Sequence, residues 1–71
     1  MAKKNQHVVP FGNGWAVKGV GNSKYTAITE RKSEAKSIAM NIAKNNKSEM
    51  IIHGKDGKIL NRVSYNNNTN S

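Results

Sequence analysis

A single segment of this chain can form an amphipathic helix, and it limits the fold more than any other feature. Ala35, Ile38, Ala39, Ile42 and Ala43 recur at i, i+3, i+4, i+7 and i+8 and make one apolar stripe. Lys36, Ser37, Asn41 and Lys44 fall on the opposite side. Alanine dominates the stripe, so the buried face is shallow and the helix axis can lie close to whatever it covers. Thr29 or Ser33 is the expected N-cap, with Glu30 and Glu34 suited to the positive end of the helix dipole. Asn45, Asn46 and Lys47 close the segment, and Lys44 and Lys47 suit its negative end. With one such stripe and no second helix to meet it, the partner layer must be a sheet.

The rest of the patterned sequence is β-like. His7 to Phe11 is a short extended run, and Pro10 marks it as an edge strand because proline donates no ladder hydrogen bond. Gly12, Asn13 and Gly14 supply the positive φ of a tight turn. Trp15 to Gly19 alternates, with Trp15 and Val17 on one face and Lys18 on the other. After a turn at Gly21, Asn22 and Ser23, the run Tyr25 to Ile28 makes a third strand.

Beyond the helix, Asp56-Gly57 sits between two β-like runs, the favoured two-residue type I′ hairpin signal. With that loop, His53 faces Leu60, Ile52 faces Asn61, Ile51 faces Arg62 and Met50 faces Val63. Met50, Ile52, Ile59 and Val63 then share the core side. Ile51, His53, Leu60 and Arg62 share the outer side, with Lys55 and Lys58 at the tip.

The expected architecture is an α+β single domain in the order βββαββ, an antiparallel sheet with one helix on one face. Its expected core is Val9, Trp15, Val17, Ile28, Ile38, Ile42, Met50, Ile52, Ile59 and Val63. Seventy-one residues leave room for one domain, expected over 7–65. Residues 1–6 are expected to be flexible, and the Asn-rich tail 66–71 too polar to order. No cysteine is present, so neither a disulfide framework nor a thiolate-bound metal is available. No apolar run follows Met1-Ala2-Lys3-Lys4, so no membrane segment is expected and the cytoplasm is the expected compartment.

Several strings together resemble a small bacterial family, domain of unknown function 2188. They are Gly14-Trp15-Ala16-Val17-Lys18, the spacing Ala35, Ala39, Ala43, then Glu49 with Ile52-His53-Gly54-Lys55-Asp56-Gly57-Lys58-Ile59, and finally Ser64-Tyr65. The resemblance covers His7 to Tyr65. It departs at Arg31, where the family pattern has a threonine at the expected helix cap. The resemblance implies a compact bacterial or phage-borne protein and carries no activity with it.

Catalytic chemistry is hard to assemble from these residues. The acids are Glu30, Glu34, Glu49 and Asp56 alone. Glu30 and Glu34 suit a solvated helix start, and Asp56 suits a turn. Ser64 pairs with Glu49 at the far end of the hairpin from His53, so a Ser-His-Asp set has no workable geometry. His7 and His53 lack the further ligands a metal would need. Gly19 to Lys24 lacks the phosphate-loop spacing and joins two strands instead of opening a helix. No catalytic residue, cofactor or metal is expected.

Charge points to partners. Lysine and arginine number 12 against 4 acids, a net charge of +8 on a very small surface. Such a field attracts polyanions. The expected function is non-catalytic binding, with nucleic acid ahead and Lys18, His53, Lys55, Lys58 and Arg62 as the contact cluster. The alternative is a protein-interaction module: a homodimer through a sheet edge, or a partner of an acidic protein or nucleoprotein. In that alternative Ile51 and Leu60 form an apolar contact patch.

Overall fold

A computed structural model describes residues 5–21 and 23–65. It contains β1 (Gln6–Phe11), β2 (Gly14–Gly19), β3 (Ala27–Thr29), α1 (Lys32–Asn46), β4 (Glu49–His53) and β5 (Ile59–Ser64). The fold is α+β, one helix on a five-stranded sheet of strand order β3-β2-β1-β4-β5. The expected element order holds, but the sheet is mixed, not antiparallel. β1 and β4 pair in parallel, Gln6 with Met50, His7 with Ile51 and Val8 with Ile52. The reason lies in the crossover: α1 carries the chain back from the end of β3, so β4 starts at the same end of the sheet as β1.

β1 is therefore central, a correction to its expected edge place. Pro10 is tolerated because the β4 ladder reaches only from Gln6 to Val8. Past Val8, β1 has a free side, and a missing N–H there costs nothing. The chain is also tied in earlier than residue 7. Gln6 is buried, the Asn5 carbonyl accepts from Val20 N–H at 2.9 Å, and the Asn5 side-chain oxygen accepts from Glu49 N–H at 3.0 Å. The Asn-rich tail expected over 66–71 lies outside the described residues.

The β1–β2 loop decides which residues reach the core. Gly12 takes φ 58° at its first position, and Phe11 pairs with Gly14, Pro10 with Trp15 and Val8 with Val17. Trp15 and Val17 face the helix, so their partners Pro10 and Val8 do too, and Val9 is sent to the other side. Val8, Val17, Ala35, Ala39, Ala43, Met50 and Ile52 form the buried core, with Trp15, Ala27, Ile38, Met40, Val63 and Tyr65 packed around it. Ile42 is only half-buried. Val9 is half-buried on the helix-free face. β3 begins at Ala27, later than the expected Tyr25, and Val17 pairs with Ala27. Ala27 thus takes the inner position, and Ile28, an expected core residue, is 57% exposed.

Ile59 also leaves the expected core, for a reason of register. The β4–β5 loop has three residues, not two: Gly57 N–H donates to Gly54 O at 2.9 Å and Gly54 N–H to Lys58 O at 2.8 Å. Gly57 at φ 86° completes a turn followed by a left-handed residue. His53 therefore pairs with Ile59 and not Leu60. A bulge between Ile52 and His53 absorbs the extra residue and restores Ile52–Asn61, Ile51–Arg62 and Met50–Val63 as expected. A one-residue shift turns a side chain to the opposite face, and Ile59 is 55% exposed.

The helix starts at neither expected cap. Arg31 occupies the N-cap position at φ −121° and ψ 146°. Its side chain has no acceptor to offer, but its N–H donates to Glu34 Oε1 at 3.3 Å, which is half of a capping box. Thr29 Oγ donates to the Arg31 carbonyl at 2.8 Å and steadies the approach. At the other end Lys47 takes φ 55°. Ser48 N–H reaches Ala43 O at 2.9 Å and Lys47 N–H reaches Lys44 O at 3.2 Å, the paired bonds of a Schellman ending.

Candidate functional site

Covering one side of a sheet leaves the other to its own side chains. On this helix-free face the alternation of β1 places His7, Val9 and Phe11, and that of β2 places Ala16 and Lys18. β4 contributes Glu49, Ile51 and His53. The strand registers connect Lys18 to His7, His7 to Ile51 and Ile51 to Arg62 in one row across four strands. A neighbouring row joins Ile28, Ala16 and Val9.

At the centre of the face two histidines meet. His7 Nδ1 and His53 Nε2 are 2.7 Å apart, and the ring centroids are separated by 5.0 Å. His53 Nδ1 lies 2.8 Å from the Gly57 carbonyl, which can only accept, so that nitrogen carries the proton. With His53 neutral, its Nε2 accepts from His7 Nδ1–H, and His7 Nε2 is left as an acceptor. A proton at His7 Nε2 would leave that bond in place, whereas a further one at His53 Nε2 would set N–H against N–H. Burial, then His53, then Arg62 hold His7 below its ordinary imidazole value.

Towards β3, Phe11 and Tyr25 meet edge to face with centroids 4.8 Å apart. The Lys18 ammonium lies 5.6 Å from the centre of the Tyr25 ring. A shallow recess of about 450 Å³ runs from His7 and Lys18 to Val20, Gly21 and Ser23. Towards β5, Arg62 Nε lies 3.3 Å from Glu49 Oε1. That pair offsets part of the positive charge but leaves Arg62 largely in water.

The expected contact residues are thus brought partly together. Lys18, His53 and Arg62 share the helix-free face. Lys55 and Lys58 sit at the exposed hairpin tip, and Lys55 borders a recess with Pro10, Trp15 and the Gly12–Gly14 turn, away from Lys18. The expected Ile51–Leu60 patch divides: Ile51 is 2% exposed and Leu60 64%. Leu60 instead leans over Gly54, where an added Cβ would come within 3.3 Å of it. From the sequence His7 was weighed only as a lone metal ligand, Phe11 was taken for core and not for a stacking surface, and Tyr25 was not singled out. Strict alternation along β1 groups His7 with Phe11, but His7-Val8-Val9-Pro10-Phe11 is apolar on both faces and does not choose between them. Ser64 pairs with Glu49, remote from His53. Among the described residues no three of His, Cys, Asp or Glu gather as a metal set, and no helix is long and apolar enough to cross a membrane.

Residues 6–65 match the model of a family described as "uncharacterized protein conserved in bacteria", DUF2188. The chain belongs to that family. It is also 33% identical over 63 residues to the uncharacterized protein YdaT of Bacillus subtilis (strain 168). The match takes in 89% of this chain and 42% of the relative, so the chain spans less than half the relative's length. No solved structure matches.

Proposed function

We propose that this DUF2188 protein is a non-catalytic binding protein for nucleic acid, met by the helix-free face and the adjoining β4–β5 tip. The observation that carries the reading is the placement of Lys18, His53 and Arg62 on one uncovered face of a chain with net charge +8. Glu49, the acid placed on that face, is already held by Arg62. The remaining cations extend the attraction around the molecule, with Lys55 and Lys58 standing in solvent at the tip. Phosphate contacts of this kind give affinity that falls linearly with the logarithm of salt concentration, with a slope of about −0.9 per contact on B-DNA.

A salt titration of the full chain against a labelled oligonucleotide tests this. Binding at low salt that weakens steeply as salt rises is expected, with Lys55→Glu combined with Lys58→Glu making the slope shallower. Absence of binding at low salt would remove the reading.

A second reading, a protein-interaction module acting as a homodimer or on an acidic protein or nucleoprotein, draws on Ile28, Ile59 and Leu60. All three are more than half exposed, and they lie on β3 and β5, the two edges of the sheet. Light scattering at high concentration separates the self-association form of this reading, because a strict monomer has no such partner.

A further inference from the structure

We infer that the helix-free face is a stacking platform for single-stranded nucleic acid, with Phe11 and Tyr25 as the rings on which bases stack and Lys18 beside them as a phosphate contact. The inference rests on the nucleic-acid reading above and narrows it to a class of ligand.

Phe11 is 39% and Tyr25 42% exposed, and each ring fixes the other in an edge-to-face pair. Below them the face is not soft. Ala16 has no exposure even though no helix covers it, so the side chains of this face pack down on it. Each ring limits the other's rotation before a ligand arrives, which lowers the side-chain freedom lost on binding. Lys18 holds its ammonium against the Tyr25 ring, which puts a cation next to the stacking surface.

A duplex does not use such a surface well. It presents phosphates and groove edges outward and keeps the flat faces of its bases stacked inside, so exposed rings beneath it would stay wet. Unpaired bases offer their flat faces to any aromatic ring, and each such stack is worth about 1–3 kcal/mol by alanine substitution. The row from Lys18 through His7 and Ile51 to Arg62 crosses four strands, roughly 14 Å at about 4.8 Å per step. That span places a cation on either side of the histidine pair, as a backbone crossing the sheet would require.

A second copy of the chain fits less well. Two such faces brought together would set Lys18 of one against the positive charge of the other, with Arg62 and Glu49 paired within each chain of net charge +8.

The test is fluorescence anisotropy on the full chain at low salt. The probes are a single-stranded oligothymidine of about 12 nucleotides, its RNA counterpart, and a duplex of equal phosphate count. Tighter binding of single strands, by about tenfold, is expected. Phe11→Ala and Tyr25→Ala should each weaken single-strand binding by roughly 5- to 100-fold with no change in salt slope. Tyr25→Phe keeps the ring and should keep the affinity, whereas Tyr25→Leu keeps apolar bulk without a ring and should lose it, which separates stacking from packing. Lys18→Gln should instead make the slope shallower by about one contact.

Equal or tighter duplex binding, or full affinity in Phe11→Ala and Tyr25→Ala, overturns the stacking inference while nucleic-acid binding stands. Silence with every probe overturns both. A dimer dispersed by Phe11→Asp assigns the face to self-association and overturns the inference.

Discussion

At Ala16 and Ile51 the helix-free face of the sheet is as buried as the helix-covered one, by different means. On one, Val8, Val17, Met50 and Ile52 lie beneath a helix whose contact residues Ala35, Ala39 and Ala43 have no exposure at all. On the other, no helix among the described residues lies over the sheet, yet Ala16 is fully buried and Ile51 nearly so. Ile51 lies between His7 and Arg62 in the register, with Glu49 and His53 one step away on its own strand. Polar and charged side chains there do the covering that alanines do on the first face. Long charged side chains can lay their stems over apolar surface while their heads stay in water. The first face is thus specified by shape and the second by a network of rings and charges, which leaves the second free to meet a ligand.

Substitutions can break this comparison. Ile51→Ala and Ile52→Ala remove similar side chains from opposite faces, and each is expected to cost about 2–5 kcal/mol in urea unfolding. A much smaller loss at Ile51 would mean that the helix-free face contributes little to folding. Should either variant fail to fold, Ile51→Val and Ile52→Val supply the same contrast at about 0.5–1.5 kcal/mol. The next effect belongs to the helix side. Ala39→Leu drives a larger side chain between α1 and the sheet and is expected to cost about 1–3 kcal/mol.

The histidine pair adds a pH dependence that only the second face should have. His7 binds a proton less readily in the folded chain than at its ordinary value of 6.5, because of burial, His53 and Arg62. The unfolded chain therefore gains more protons on acidification. Stability should be fully present above pH 6.5, fall as pH drops through 6.5, and level off below the lowered folded value. Lys18, Arg62 and Glu49 also face the pair, so the control is His7→Asn, which should flatten this part of the profile.

The smallest effects sharpen the boundaries. Arg31→Thr gives the helix a cap acceptor to complement the bond from Arg31 N–H to Glu34. A gain of about 0.5–1 kcal/mol in thermal unfolding is expected. Ile28→Ala and Ile59→Ala, both on exposed positions, should change stability by no more than about 0.5 kcal/mol.

How far local pattern reaches can be judged residue by residue. The stripe from Ala35 to Ala43 names the helix and its face, because a period near 3.6 has only one reading over that length. The Gly12–Asn13 turn also contained the register that puts Val8 inside, since a two-residue loop leaves Phe11 opposite Gly14. Val9 was the expected core residue only because β1 is apolar on both faces. At the second hairpin Asp56-Gly57 correctly signals a turn but not its length. One extra loop residue and its compensating bulge were enough to turn Ile59 outward while every pair from Ile52 down kept its place. The proposed contact residues were legible as charges. His7 was not legible as part of a site because it meets His53 only when β1 lies beside β4, and the Phe11–Tyr25 pair was not because Tyr25 stands before β3 and not in it.

By itself, the order of residues determined that there is one helix, which side of it is buried, where the turns fall and that the molecule is strongly basic. These are properties of short stretches, set by side-chain period, backbone freedom and charge. Only the tertiary structure decided that β4 runs parallel to β1, that His7 touches His53 across 46 residues of chain, and that Ile51 is covered without a helix. Each depends on which strands become neighbours, and that follows from where the helix delivers the chain and not from any local pattern.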